Sequence, residues 1–371
     1  MKKILIIHDS MGGGGAERVL VTLLNALDPN QYDITLLLIY KEGPFFSELP
    51  GHIKVKWLFE SYSLITTRVM THFYRIRNYI RKKLASRILG HDKFDVTVSF
   101  MEGSPAKLHS QLLDYAPKNL SWVHSNQARD RWYDFWFNLS EEKEFYKKVN
   151  KIAFVSKELK NCFENIYSTE AEKCVIYNPI DENFISSQYA GWERPKSDIF
   201  TIVNSGRLIP QKNQALLIDV AEILKRHKRR FCIKILGQGP LYEELRTSIR
   251  AKKLENEIEL VGFVNNPFPI VGNADVFCLT SVSEGWGMVV AEAMSLSVPT
   301  VSTPVPAVEE ILEGGGGILT NGSAEEIASA IEFLMDNPQQ RISLGLAAKN
   351  SVSRFDIHNV ITSVKDFMDC I

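Results

Sequence analysis

The sequence predicts two doubly wound, parallel-sheet α/β domains in tandem. Short apolar runs alternate with amphipathic stretches in two separate series, which is the signature of strands joined by crossover helices. A polar stretch, WERPKSD at residues 192–198, separates the two series as a linker. The length of 371 residues exceeds one ordinary domain and suits two of roughly 150–200 residues.

Residues 4–7, ILII, form the first predicted strand, apolar on both faces. Four glycines at 12–15 follow it. A helix then carries Val19, Leu20, Leu23, Leu24 and Leu27 at helical spacing and stops at Asp28-Pro29. Residues 34–39 are the next buried strand, and strand, helix, strand implies parallel pairing. Residues 96–100, 121–123 and 152–155 read as further strands of the first half. After the linker come a strand at 200–204, a helix at 214–226, a strand at 232–236, a helix at 241–252 and a strand at 259–261. Residues 274–279, 288–294 and 300–302 continue the alternation, and 324–335 is a helix. Open sheets of this kind bind ligands at the carboxyl ends of their strands, so a cleft between the domains is the expected site.

At 45% hydrophobic and 23% charged residues, both halves can bury a core. A net charge of −1 provides no global basic field, which excludes nucleic acid as a partner recruited by charge. Cys162, Cys174, Cys232, Cys278 and Cys370 form no C-x-x-C pair and have no histidine at zinc spacing. That argues against a disulfide framework or structural zinc and for a reducing cytoplasm. Lys2 and Lys3 precede too short an apolar run for a signal peptide. No run approaches the ~20 residues that span a bilayer, so membrane contact is expected to be peripheral.

Residues 275–302, DVFCLTSVSEGWGMVVAEAMSLSVPTVS, carry most of the chemistry. A buried strand runs into Ser283-Glu284-Gly285-Trp286-Gly287, and a helix begins near Met288. Two glycines at a helix entrance let backbone N–H groups approach a phosphate or sugar oxygen. Glu284 and Glu292 suit vicinal hydroxyls of ribose or hexose. A second stretch, SGRLIPQKN at 205–213, follows a strand and precedes a helix. Arg207 and Lys212 there can converge on one diphosphate, each charge-assisted bond contributing about 1.5–3 kcal/mol. Cations at a leaving diphosphate stabilise the transition state more than the ground state.

The ordered set GGAERV at 14–19, SGRLIPQKN, LGQGP, VGFV and E-x7-E from Glu284 to Glu292 resembles the retaining glycosyltransferases of family four. The resemblance runs along nearly the whole chain. It implies the GT-B fold, two Rossmann-like domains facing across a cleft. It places an acceptor domain at 1–185, a nucleotide-sugar domain at 186–354, and a C-terminal helix, 355–371, packed back on the first. It implies that Arg207 and Lys212 bind the donor diphosphate, Glu292 the ribose hydroxyls, and Glu284 the transferred sugar near its reacting face. Backbone at Gly285, Trp286, Gly287 and Met288 would contact sugar and phosphate, and Phe263 and Val264 the base. Gly14 and Gly15 belong to a loop resembling the one beneath the donor phosphates and acceptor, and His124, in SWVHSN, matches a family histidine touching donor sugar or acceptor. The implied reaction moves a sugar, UDP-hexose or UDP-N-acetylhexosamine at family level, to a glycan or lipid-diphosphate-linked acceptor. It proceeds with retention, through front-face attack with the leaving phosphate as base. No metal or other cofactor is implied, since cations replace one and the chain has no D-x-D. Two departures stand out. Ser297 replaces a glycine after the E-x7-E helix, and Pro304-Val305-Pro306-Ala307-Val308-Glu309 lacks the glycines of a loop near the donor.

Between Ser61 and His91 there are Arg68, Arg75, Arg77, Arg81, Lys82, Lys83 and Arg87 but no acid. Ile65, Val69, Phe73, Ile76, Ile80, Leu84 and Ile88 recur at three- and four-residue steps. Such a helix suits an anionic membrane surface or a lipid-linked diphosphate, with Arg75, Arg81 and Lys82 as contacts and the inner face of the cytoplasmic membrane as the location. It equally suits a solvated helix whose stripe packs on the sheet. Trp132-Tyr133-Asp134-Phe135-Trp136-Phe137 can insert at an interface, line an acceptor site or plug a loop onto the core. Taken alone, Glu284 and Glu292 are surface charges and His124 a core histidine. Residues 314–317, four glycines, read as a turn because Ile318-Leu319 begins no helix.

Three other functions compete. A dinucleotide-dependent dehydrogenase is disfavoured because Glu17 and Arg18 break G-x-G-x-x-G. A nucleotide-sugar epimerase of the same architecture would bind the same donor without an acceptor. A silent sugar-nucleotide-binding protein would not need both carboxylates and both cations.

Overall fold

The computed structural model describes residues 1–61, 74–127, 137–192 and 199–369. The linker residues 193–198, Arg68, Ile65, Val69 and Phe73 of the basic segment, and Trp132 through Trp136 lie outside the described residues. The chain divides into two compact units, one of Met1–Pro179 with Ile357–Ile371 and one of Ile180–Asp356.

The first unit holds strands β1 (Lys2–His8), β2 (Tyr32–Tyr40), β3 (Lys54–Phe59), β4 (Val96–Ser99), β5 (Lys118–Val123), β6 (Lys151–Phe154) and β7 (Glu172–Val175). They form one sheet in the order β3-β2-β1-β4-β5-β6-β7, parallel throughout. Its helices include α1 (Gly15–Ala26), which buries Val19, Leu20, Leu23 and Leu24 as its spacing predicts, and α2 (Tyr74–Leu89). The short helix α3 (Ser104–His109) follows β4. The chain's final helix, Ile357–Asp369, also packs in this unit. It buries Val360, Val364, Phe367 and Met368, sets Phe367 edge-on against Trp122, and is tied by Lys2 Nζ to the Met368 carbonyl. Burying four such side chains contributes roughly 1.5–3 kcal/mol each.

The second unit holds β8 (Phe200–Ser205), β9 (Phe231–Leu236), β10 (Ile258–Gly262), β11 (Val276–Leu279), β12 (Thr300–Ser302) and β13 (Gly317–Leu319). Their order is β10-β9-β8-β11-β12-β13, again parallel. The glycine run before β13 is a turn into a strand, and Gly316 is held tight because a Cβ there would collide with Ala348. The core joins Ile202, Ile233, Ile235, Val276, Cys278 and Val301 of the sheet to Leu217, Ala221 and Leu224 on one helix and Ile327 and Ile331 on another.

Each sheet has one place where successive connections run to opposite sides: between β1 and β4 in the first unit, and between β8 and β11 in the second. Loops at the carboxyl ends of such strands diverge and leave a crevice for ligands.

Candidate active site

In the second unit the loop after β8 and the loop after β11 meet at this point, and side chains lock them together. Gln211 accepts the Val282 N–H through its carbonyl at 2.8 Å and donates from Nε2 to the Ser283 carbonyl at 3.0 Å. Thr280 Oγ1 donates to the Lys212 carbonyl at 3.0 Å. Lys212 Nζ donates to Oε1 and Oε2 of Glu284 at 2.6 and 2.7 Å, and Ser281 Oγ donates to Oε1 at 2.5 Å. Glu284 is 8% exposed, so this pairing decides its stability; a carboxylate that deep needs its counter-ion. Arg207 on the same loop is exposed, with no ion pair among the described residues.

Backbone packing sets the shape of these loops. Gly237 has φ 132°, and a Cβ on it would fall on the Gly206 carbonyl; one on Gly239 would fall on that of Leu208. The glycines of LGQGP thus let one loop rest directly on the loop bearing Arg207.

After Glu284 the chain enters helix Met288–Ser295 through Gly287, whose φ of 106° favours glycine. The first turn has no acidic residue and no side-chain cap, and Val290 N–H bonds back to the Gly287 carbonyl at 2.9 Å, so Met288 and Val289 carry the N–H groups left for an anion or a sugar oxygen. Glu292 lies half-buried one turn in. Trp286 turns the other way, edge-on to Phe355 with ring centroids 5.1 Å apart, and only its backbone is left for a ligand. Phe263, 54% exposed, and half-buried Val264 follow β10 at the same end of the sheet. The structure therefore gathers Arg207, Lys212, Phe263, Val264, Glu284, Gly285, Gly287 and Met288 along one edge of the second sheet.

In the first unit, His8 ends β1 and Asp9 follows it. Glu17, in the first turn of α1, folds back so far that a Cβ on Gly14 would collide with its carboxylate. The N-terminus of α1 beside the glycine loop is thus already faced by an internal carboxylate, at the third helical position after Gly14. His124 is buried after β5. Its backbone N–H donates to Glu102 Oε2 at 2.9 Å, and Ser125 Oγ donates to the other carboxylate oxygen. Its ring lies 4.9 Å from that of Phe100. Burial pushes His124 down to about 3 and His8 to about 4, with His8 adding to the effect on His124. Both imidazoles are neutral at physiological pH, so His124 acts as a hydrogen-bonding group and not as a cation. Burial raises the Asp9 carboxyl above its ordinary value against the opposing pull of Arg81.

The basic helix departs from expectation at Arg81. Arg75 and Lys82 are exposed, but Arg81 is 5% exposed and turned into the fold, donating to Ser104 Oγ at 2.7 Å and to the Tyr40 hydroxyl at 2.9 Å. It is not a membrane contact. Arg77 is also buried, whereas Ile76 and Tyr79 of α2 are exposed, so the upper part of the helix buries its polar face. Lower down, Leu84 and Ile88 pack on the core as the stripe predicts. Phe137, the described member of the aromatic cluster, is fully buried under Lys107.

Sequence reasoning missed Gln211, Ser281, Asp9, Glu17, Glu102 and Ser104. Glu17 was findable from its third helical position after Gly14, and Asp9 from its place at the end of the first strand. Among the described residues no cluster of three His, Cys, Asp or Glu could hold a metal, and no helix is long and apolar enough to cross a membrane.

Residues 13–184 match the family model described as Glycosyltransferase Family 4, and residues 192–351 the one described as Glycosyl transferases group 1. A Campylobacter jejuni N-acetylgalactosamine-N,N'-diacetylbacillosaminyl-diphospho-undecaprenol 4-alpha-N-acetylgalactosaminyltransferase is 28% identical, over 96% of both chains. A second enzyme from that organism, which extends GalNAc-alpha-(1->4)-GalNAc-alpha-(1->3)-diNAcBac-PP-undecaprenol, is 26% identical over 97% of this chain and 96% of its own. Among solved structures, Anabaena Alr3699/HepE in complex with UDP and glucose superimposes with a TM-score of 0.79 at 20% identity, over the whole of both chains. With both units of the chain matched, in order, by the two models of this group, and with two all-parallel sheets like those of its structural neighbours, the protein belongs to the GT-B glycosyltransferases of group 1 and family 4.

Proposed function

We propose that the protein transfers a sugar from a nucleoside diphosphate, with retention of configuration, to a glycan or lipid-diphosphate-linked acceptor. The observation that carries this reading is the clamp of Gln211, Lys212, Ser281 and Glu284 at the switch point of the second sheet. Arg207 and Lys212 would receive the diphosphate, and the open first turn at Met288 would add N–H donors. As the glycosidic bond breaks, charge grows on the leaving phosphate, and donors already in place lower that barrier. Glu292 would hold the ribose and Glu284 the sugar. The UDP bound by HepE and the lipid-linked acceptors of the Campylobacter enzymes support uridine and a polyprenyl diphosphate as the first substrates to try. The outward face of α2, with Ile76 and Tyr79 beside Arg75, Lys82 and Lys83, would rest on an anionic membrane.

The test is incubation with labelled UDP-glucose, UDP-galactose and their N-acetylhexosamine counterparts, with and without an undecaprenyl-diphosphate-linked saccharide, in EDTA. Transfer that needs acceptor, survives chelation and keeps the anomeric configuration is expected. Epimerised donor without acceptor would favour the epimerase instead, and activity restored only by Mg²⁺ or Mn²⁺ would overturn the metal-free assignment.

A further inference from the structure

Glu284 is held from two sides of the second sheet. From the β8 side comes the Lys212 ammonium, which donates to both carboxylate oxygens. From the β12 side comes a two-step connection that begins at Thr303. This residue extends the β11–β12 pairing by one position, its N–H bonding the Leu279 carbonyl at 3.1 Å. Its hydroxyl donates to the Ser281 carbonyl at 2.7 Å, and Ser281 donates its own hydroxyl to Glu284 Oε1 at 2.5 Å. All three residues are buried, so water competes little for either bond.

A carboxylate has about four acceptor positions. Lys212 and Ser281 together take both on Oε1, and Lys212 takes one on Oε2. The position left on Oε2 is the one a ligand hydroxyl can use. Lys212 bonds the two oxygens alike, which lets the carboxylate plane rock. Ser281 pins one oxygen, and that fixes where the open position of the other points.

The segment after Thr303 supports this arrangement and has little left for a ligand. Pro304 and Pro306 have no N–H, and the Val305 N–H bonds the Thr303 carbonyl at 2.8 Å. The N–H groups of Val308 and Glu309 both bond the Val305 carbonyl. The loop after β13 rests on Pro304: Gly322 has φ 88°, and a Cβ on it would stand 3.2 Å from Pro304 Cδ. Thr320 Oγ1 fastens that loop to the Ser302 carbonyl at 3.0 Å. The glycine-free stretch 304–309 is thus a stiff, self-bonded brace behind Thr303.

We propose that Thr303 is a positioning residue for sugar transfer. Through the carbonyl and hydroxyl of Ser281 it holds the Glu284 carboxylate so that the open position on Oε2 meets a hydroxyl of the transferred sugar. This rests on the transferase reading. Thr303 itself touches no reacting atom, so its loss misaligns the sugar and leaves the nucleotide contacts assigned to Arg207 and the Met288 turn in place.

The experiment is steady-state kinetics of the full chain with the UDP-sugar that the parent transfers, beside calorimetry with UDP. Thr303→Val keeps the shape of the side chain and removes its hydroxyl. It should lower kcat by about 10- to 100-fold while UDP affinity stays within about threefold of the parent. Thr303→Ser, which keeps the hydroxyl, should hold kcat within about threefold. Ser281→Ala should lower kcat as Thr303→Val does. Adding Thr303→Val to Ser281→Ala should cost little more, because the route to Glu284 is already cut. Parental kcat in Thr303→Val overturns the proposal, as does full additivity of the two substitutions. If Thr303→Val does not fold, the other two variants decide: parental kcat in Ser281→Ala, or a loss of about tenfold in Thr303→Ser, overturns it. A parent that transfers sugar from no donor sinks the transferase reading and the proposal with it, whereas an active parent indifferent to Thr303 sinks the proposal alone.

Discussion

Lys212 and Glu284 stand 72 residues apart in the chain, yet the ammonium of one donates to both carboxylate oxygens of the other. Each residue thus holds the other in place before any substrate arrives. Removing the lysine leaves a buried carboxylate with Ser281 as its remaining side-chain donor, at a cost of about 3–5 kcal/mol. Lys212→Ala should therefore melt well below the parent, and Lys212→Ala/Glu284→Ala should recover most of that loss. Neither should recover activity, which is expected to fall by roughly 100-fold or more. Thermal melts beside turnover measurements check this; a single variant as stable as the parent would show that the pair is not desolvated.

Ser297 sits where the resemblance leads one to expect glycine, and its φ of 61° is the left-handed conformation that glycine adopts freely. That geometry costs a side-chain-bearing residue about 1–2 kcal/mol. Glycine returns about 0.4–1 kcal/mol of this through a more disordered unfolded chain. Ser297→Gly should stabilise the protein by a net ~0.5–1 kcal/mol, read as a higher denaturant midpoint with unchanged slope. A lower midpoint would refute the strain.

Acid should weaken the fold before it protonates most carboxylates. Burial lowers His8 and His109 to about 4 and His124 to about 3, from 6.5. Between those values the unfolded chain binds protons that the folded one refuses, so stability falls as pH drops below about 6.5. Each histidine contributes up to about 1.4 kcal/mol per pH unit. Asp9, raised in the folded state, works in the opposite sense and offsets part of the loss. Urea midpoints at about pH 7.5, 6 and 5 should decline steadily; equal midpoints would contradict the buried, neutral imidazoles.

Arg81 and Lys82 are chain neighbours with opposite expected phenotypes. Arg81→Met loses the bonds to Ser104 and Tyr40 and should destabilise by about 2–3 kcal/mol, with vesicle binding unaffected. Lys82→Ala with Lys83→Ala should leave stability within ~0.5 kcal/mol. It should weaken binding to phosphatidylglycerol vesicles by about 1 kcal/mol per charge removed. Co-sedimentation and melting curves separate the two; equal effects on vesicles would dissolve the distinction.

The contrast at Arg81 also marks how far the sequence could be read. Strands and helices with regular apolar spacing, such as β1, α1 and β2, were legible because the pattern is local. The loop bearing Arg207 and Lys212 was legible because its residues are contiguous. Arg81 was not, since its partners Asp9, Tyr40 and Ser104 come from three other segments and only the sheet order unites them. Gln211 lay inside a recognised motif, but its task is to grip a loop some 70 residues later. Trp286 was assigned to the ligand loop through its backbone alone, and nothing local reveals that its ring packs on Phe355. Residues proposed to touch ligands lie in contiguous motifs here; residues that brace them come from afar.

The return of residues 357–371 to the first unit governs the order in which this protein can be born. On the ribosome, the second unit is a continuous stretch whose ends, Ile180 and Asp356, are joined by a β-bridge, so it can close as soon as it emerges. The first unit, although synthesised earlier, must wait for helix Ile357–Asp369 to cover Trp122 and pack on α1. Its opening strands therefore spend most of translation without their final partner, and removing helix Ile357–Asp369 would strip the first unit of part of its core.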